Sequence, residues 1–94
     1  MALTGMHAII WGLLAKVMDK ILADGQFDVL EQQDVYTVWV AECDRDWMCR
    51  IDKGDEVLAR CYGRNAEEAA YTAWWKICSA EENTDGKDDK KPGA

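Results

Sequence analysis

The side chains with the greatest capacity for covalent or metal chemistry are four cysteines, Cys43, Cys49, Cys61 and Cys78, and a single histidine, His7. Zinc sites draw on closely spaced ligand pairs. Here no Cys-x-x-Cys occurs, and His7 is far from every cysteine in sequence, so no metal site is expected. A nucleophilic cysteine needs an adjacent base or a helix N-terminus to reach the thiolate. Cys43 and Cys49 fall in segments that read as strands and offer neither. Ser79 is the only serine, so no serine–histidine–acid set can be assembled. The seven glycines are scattered and form no phosphate loop. Asp85-Gly86-Lys87-Asp88-Asp89 lacks the spacing and terminal glutamate of a calcium loop. The residues therefore predict no catalytic set and no cofactor; the chain is expected to work by contact.

The elements that must position its side chains follow from periodicity. Met6, Ile10, Leu13, Leu14, Val17 and Ile21 recur at the helical period and predict a helix over Thr4–Ala23, ended by Asp24-Gly25. Gln26–Asp34 reads as a connector with a helical turn around Val29–Gln32. Val35–Cys43, Trp47–Asp52 and Glu56–Tyr62 read as strands, joined by a turn at Asp44-Arg45 and a loop at Lys53-Gly54-Asp55. Asn65 caps a second helix that runs to about Ala80, and Glu68 can complete a capping box. The fold class is α+β, in the order α-β-β-β-α: a three-stranded antiparallel sheet with two helices packed on one face. Residues 1–80 form one domain, and residues 81–94 read as a disordered, charged tail.

The turn at Asp44-Arg45 pairs Val40 with Cys49 and Val38 with Ile51. The next loop pairs Ile51 with Val57 and Cys49 with Ala59. Residues directly opposite share a face. Val38, Val40, Trp47, Cys49, Ile51, Val57, Ala59 and Cys61 then face a core, while Trp39, Met48, Arg50, Leu58, Arg60 and Tyr62 face the other way. In the second helix, Ala66, Ala69, Ala70, Ala73 and Ile77 face the sheet and Trp74 closes its edge. Trp75 and Tyr71 are left on the outside. The first helix carries a second apolar stripe, Trp11, Ala15, Met18 and Leu22, and helices apolar on two sides are usually buried on two sides.

The net charge is −7. The last fourteen residues hold five acids and three lysines, which leaves 13 acids and 8 bases, or −5, in residues 1–80. Such a surface repels nucleic acid and anionic lipid, and suits a basic protein partner or simply keeps the chain soluble. Met1–His7 has no positively charged n-region, and the apolar run at residues 8–15 is broken by Lys16 and Asp19. Neither a secretory signal nor a membrane span is expected, and the reading is a cytoplasmic chain with reduced cysteines. The expected partner-binding residues are Trp39, Glu42, Asp44, Asp46, Arg50, Asp52, Asp55, Glu56, Tyr71 and Trp75. Trp39 or Trp75 would be the desolvated anchor, and Trp11, Met18 and Leu22 are the residues expected for self-association.

Two resemblances bear on these residues. Leu58-Ala59-Arg60-Cys61-Tyr62-Gly63-Arg64-Asn65-Ala66-Glu67-Glu68-Ala69-Ala70 resembles the third strand and last helix of the double-stranded RNA-binding domain. That family grips phosphate with lysines where Glu67 and Glu68 stand here, so the resemblance implies its topology and not its ligand. Gly63-Arg64-Asn65-Ala66-Glu67-Glu68-Ala69 is similar to a turn into an alanine-rich helix found in small phage-encoded proteins, anti-CRISPR inhibitors of bacterial immunity among them. This implies an inhibitor that occludes a host nucleic-acid-handling complex, binding a basic host protein or effector complex and no nucleic acid directly. The alternative is a homodimeric structural or adaptor module.

Overall fold

The computed structural model describes residues 5–82, with the side chains of 80–82 left aside. The order is α1 (Gly5–Asp24), β1 (Asp28–Gln33), β2 (Tyr36–Cys43), β3 (Asp46–Lys53), β4 (Glu56–Gly63) and α2 (Ala66–Glu82). The four strands form an antiparallel meander in chain order. The class is α+β, as expected, but the sheet has one strand more than the three expected. The tail expected from residue 81 lies, from Asn83 on, outside the described residues.

The additional strand is β1, in the stretch expected to be a connector with a helical turn. Each of its residues pairs with β2, from Asp28 opposite Ala41 to Gln33 opposite Tyr36. Val29 is its only buried residue, so the alternation that marks a strand is almost missing. An edge strand needs little burial of its own when a neighbour supplies the backbone partners, and pairing overrides local preference. Tight turns make this economical. Asp34, Asp44 and Gly54 open the three two-residue hairpin loops with φ of 56°, 62° and 60°, the left-handed conformation that matches a loop to the strands' twist. Aspartate tolerates it better than most side chains.

The β2–β3 register is the expected one, with Val40 opposite Cys49 and Val38 opposite Ile51. The β3–β4 register is not. Lys53 pairs with Glu56 across a two-residue turn and Asp52 with Val57, but Ile51 pairs with Ala59. Leu58 is thus an extra residue, a bulge. It exchanges two side chains. Val57, expected in the core, is 51% exposed, and Leu58, expected outside, is half-buried against the core. The turn and the bulge together shift the pairing by two residues, so Ala59 and Cys61 keep the core face. Cys49 now stands directly opposite Cys61.

The core lies between this face and both helices. Ile10, Leu13 and Val17 of α1 and Ala69 and Ala73 of α2 are fully buried against Val38, Val40, Cys49 and Ile51. Alanine on α2 lets that helix approach the sheet closely. At the β4–α2 junction the approach is closest: a Cβ on Gly63 would fall 2.6 Å from the backbone nitrogen of Ala69. The cap of α2 is formed with Asn65, whose Oδ1 accepts from the Glu68 amide at 2.8 Å. The Glu68 carboxylate in turn accepts from the Arg64 amide at 2.6 Å, one residue earlier than in the usual capping box.

Candidate functional site

The molecule has two faces with partner-binding potential. The first is the open side of the sheet, where neither described helix packs. Trp39 is opposite Leu30 on one side and Arg50 on the other, and Arg50 is opposite Arg60. The Trp39 indole donates Nε1–H to Asp28 Oδ1 at 2.7 Å. Asp28 faces Ala41 across the ladder, so the indole must lean over Ala41, which is buried although it faces outward. The Arg50 guanidinium lies 5.2 Å from the Trp39 ring centre and 3.0 Å from Asp52 Oδ2. The ring's negative face and the carboxylate hold the same cation. Trp39, Arg50 and Asp52 are therefore already engaged with one another and half-buried, whereas Leu30 and Tyr62 on the same face are exposed. Asp52 Oδ1 is buried without a hydrogen-bond partner among the described residues.

The second face is the helix layer. Topology makes α1 and α2 antiparallel, because α1 enters the sheet and α2 leaves it at the same end. The helices meet where Trp11 packs on Trp74, with ring centres 4.9 Å apart, and buried His7 meets Trp74 edge-on at 5.6 Å. Beyond this contact a groove of about 280 Å³ opens toward the end where α2 begins. Trp11, Leu14, Met18, Ala70, Tyr71 and Trp74 line it, with Glu67 as the only charged residue among the described ones. A shallower depression continues along Tyr71, Trp74, Trp75 and Cys78. Tyr71 and Trp75 are 65% and 64% exposed, and Trp11 and Leu22 are also well exposed.

The expected site residues therefore do not form one surface. Glu42, Asp44 and Asp46 are at the β2–β3 end of the sheet, the end where α2 starts and Glu67 stands. Asp52, Asp55 and Glu56 are at the other end, a strand length away, or about 25 Å for eight residues at the usual rise. Trp39 and Arg50 are on the open sheet face, while Tyr71, Trp75, Trp11, Met18 and Leu22 belong to the helix layer. Sequence reasoning missed Glu67 and the Trp11–Trp74 contact as site features. The wheel put Trp11 and Trp74 each beside a core stripe, but only the placement of both helices on one sheet makes them neighbours.

No disulfide joins the described cysteines. Cys49 is buried, and burial, with a smaller push from Cys61 opposite, raises its thiol from 9.0 to about 12. That is the reverse of activation. Among the described residues no three His, Cys, Asp or Glu side chains converge as metal ligands, and no helix is long and apolar enough to cross a membrane. No family model, curated protein or solved structure matches this chain.

Proposed function

We propose that this chain is a protein-binding inhibitor, of the kind phages direct against bacterial immunity, that blocks a host nucleic-acid-handling complex by steric and electrostatic occlusion. The observation that carries the reading is the aromatic surface of the helix layer, exposed Trp11, Tyr71 and Trp75 joined through half-buried Trp74, on the groove that ends at Glu67. Isolated exposed apolar residues are ordinary, but a contiguous aromatic patch on a small domain marks a contact surface. Trp75 is the free anchor. Trp39 is committed to Asp28 and Arg50. The Glu42, Asp44 and Asp46 cluster faces basic residues of the target.

The test is recovery of the tagged chain from a bacterial lysate containing CRISPR effector complexes, beside a Tyr71→Ala/Trp75→Ala variant and an Asp44→Lys/Asp46→Lys variant. The wild type is expected to recover an effector subunit in stoichiometric amount and to prevent it from binding target DNA. Loss of an aromatic anchor costs about 2 kcal/mol or more, so the aromatic variant should bind about 30-fold more weakly. Charge reversal should weaken binding and flatten its salt dependence. A chain that recovers no effector subunit, or one that leaves the effector's DNA binding intact, sinks the reading.

A second reading is favoured by the exposure of Leu22 and Trp11 on the same side of α1, with Met18 half-buried between them: a homodimeric adaptor. A mass that rises with concentration and falls to the monomer value on Met18→Glu would support it; a strict monomer would remove it.

A further inference from the structure

We infer that the groove between α1 and α2 seats a basic amphipathic helix of a partner protein, an inference that rests on the protein-binding reading above.

Three observations carry it. The first is shape. The groove is closed at the Trp11–Trp74 contact and opens toward Glu67, with buried Leu14 and Ala70 at its floor. It is an apolar trough along two helix axes rather than a round pocket. Both neighbouring elements are helices whose backbone groups are already paired, so an extended peptide would find no sheet edge there to join.

The second is the rim. On the side of α1 next to the groove, Ala8, Gly12 and Ala15 are exposed, and a Cβ on Gly12 would meet nothing within 4 Å. Helices pack at about 8–10 Å between axes, and the shorter separations need small residues at the contact. A third helix can therefore lie along this flat rim and drop its large apolar side chains, spaced at i, i+4 and i+7, into the groove. A loop that inserted a single side chain would make no use of the rim.

The third is charge. Among the described residues Glu67 is the only ionised group lining the groove, and it makes no ion pair with any of them. Asp19, one turn beyond Ala15, is exposed and likewise unpaired. Lys16, one turn beyond Gly12, stands on the outer edge of this rim, about 100° around α1 from Ala15, and Lys20 is tied to Glu31. The groove's own edges, at Glu67 and along Ala15 to Asp19, are thus acidic on a chain of net charge −7, with Lys16 further out. A second copy would bring the same carboxylates together, whereas lysines or arginines flanking the apolar stripe of a foreign helix would meet them.

The test uses a fluorescently labelled synthetic peptide of leucines and lysines in helical period, about five turns or 18 residues long, and a matching leucine–glutamate peptide. Binding is read by anisotropy. The lysine peptide should bind the wild-type chain, weaken as salt rises, and bind at least about 10-fold more weakly to Ala15→Arg, which fills the groove with a cation. Glu67→Lys, a surface change, should weaken it by about 2- to 5-fold. Far-UV circular dichroism confirms that both variants are folded. Equal binding of the two peptides, or binding of neither, overturns the inference. So does a dimer that Ala15→Arg dissociates, because a second copy is then the occupant. Effector recovery that survives Ala15→Arg overturns the groove while leaving the inhibitor reading in place. Peptide binding that passes these controls without any effect on an effector complex upholds the groove and removes the inhibitor reading.

Discussion

The junction between β4 and α2 gives the sharpest prediction, because one chemical change should have opposite signs at two glycines. A methyl group on Gly63 would fall 2.6 Å from Ala69 N, 2.8 Å from Glu68 Cβ and 2.9 Å from Glu68 C. Two of these are backbone atoms in the first turn of α2, and they cannot rotate away. The backbone of Gly63 is in an ordinary strand conformation, paired opposite Trp47, so the requirement for glycine is space and not φ. Relief requires α2 to move outward by several tenths of an ångström. That motion pulls on the Ala69 N–H···O=C Asn65 bond, 3.1 Å long, and on the cap built from Asn65 and Glu68. Overpacking of this kind costs about 1–3 kcal/mol. With the cap also disturbed, Gly63→Ala is expected to lie near the upper end, a fall in Tm of about 10–20 °C for a domain of this size. Gly12, in the middle of α1, has open space where its Cβ would be. There Gly12→Ala should raise helix propensity and stabilise by about 0.5–1 kcal/mol, or roughly 2–8 °C. Thermal unfolding followed by circular dichroism, with urea denaturation as a check, measures both. A Gly63→Ala protein melting within about 2 °C of wild type would refute the argument, since it would mean that α2 does not approach β4 as closely as described.

The bulge at Leu58 predicts that Val57→Lys changes stability by less than about 0.5 kcal/mol, while Ile51→Ala on the buried face costs about 2–5 kcal/mol; urea midpoints decide, and a large loss from Val57→Lys would restore the register without a bulge. Asn65→Ala removes the acceptor for the Glu68 amide and should cost about 1 kcal/mol, measured the same way. Cys49, with its thiol raised to about 12, stays protonated in the folded chain while the unfolded thiol ionises near 9.0. Its contribution to stability is therefore intact below pH 9.0 and is lost as pH rises from there toward about 12, with a slope of at most roughly 1.4 kcal/mol per pH unit. Cys49→Ala should remove that slope from the alkaline unfolding curve. In the native chain a thiol reagent should label exposed Cys43 and leave Cys49 and Cys61 unmodified until denaturant is added.

Much of this architecture was legible in the residues themselves. Ile10, Leu13, Leu14, Val17 and Ile21 repeat at the helical period, and nothing in their neighbourhood competes with that signal. The β2–β3 hairpin could be placed to the residue because a slip of one position would turn Val38, Val40, Cys49 and Ile51 out of the core. The asparagine cap and the alanine stripe of α2 are local features with local causes. Strand β1 was not legible, because an edge strand that buries only Val29 draws its stability from hydrogen bonds to β2 that no pattern in its own residues announces. Neither was the bulge. The two-residue turn at Gly54-Asp55 shifts the pairing by one residue, and the extra residue at Leu58 shifts it by one more. Alternation therefore looks the same from Ala59 onward, and only Val57 and Leu58 betray the change. The candidate site follows the same division. The sequence determined that Trp75 and Tyr71 are surplus to the core and that the chain is acidic, because helical periodicity and charge belong to the chain itself. Only the tertiary structure decided which surplus residues are neighbours. The sheet sets α1 beside α2 and brings Trp11 onto Trp74, opens the groove that ends at Glu67, and keeps Asp44 and Asp46 a strand length from Asp55 and Glu56.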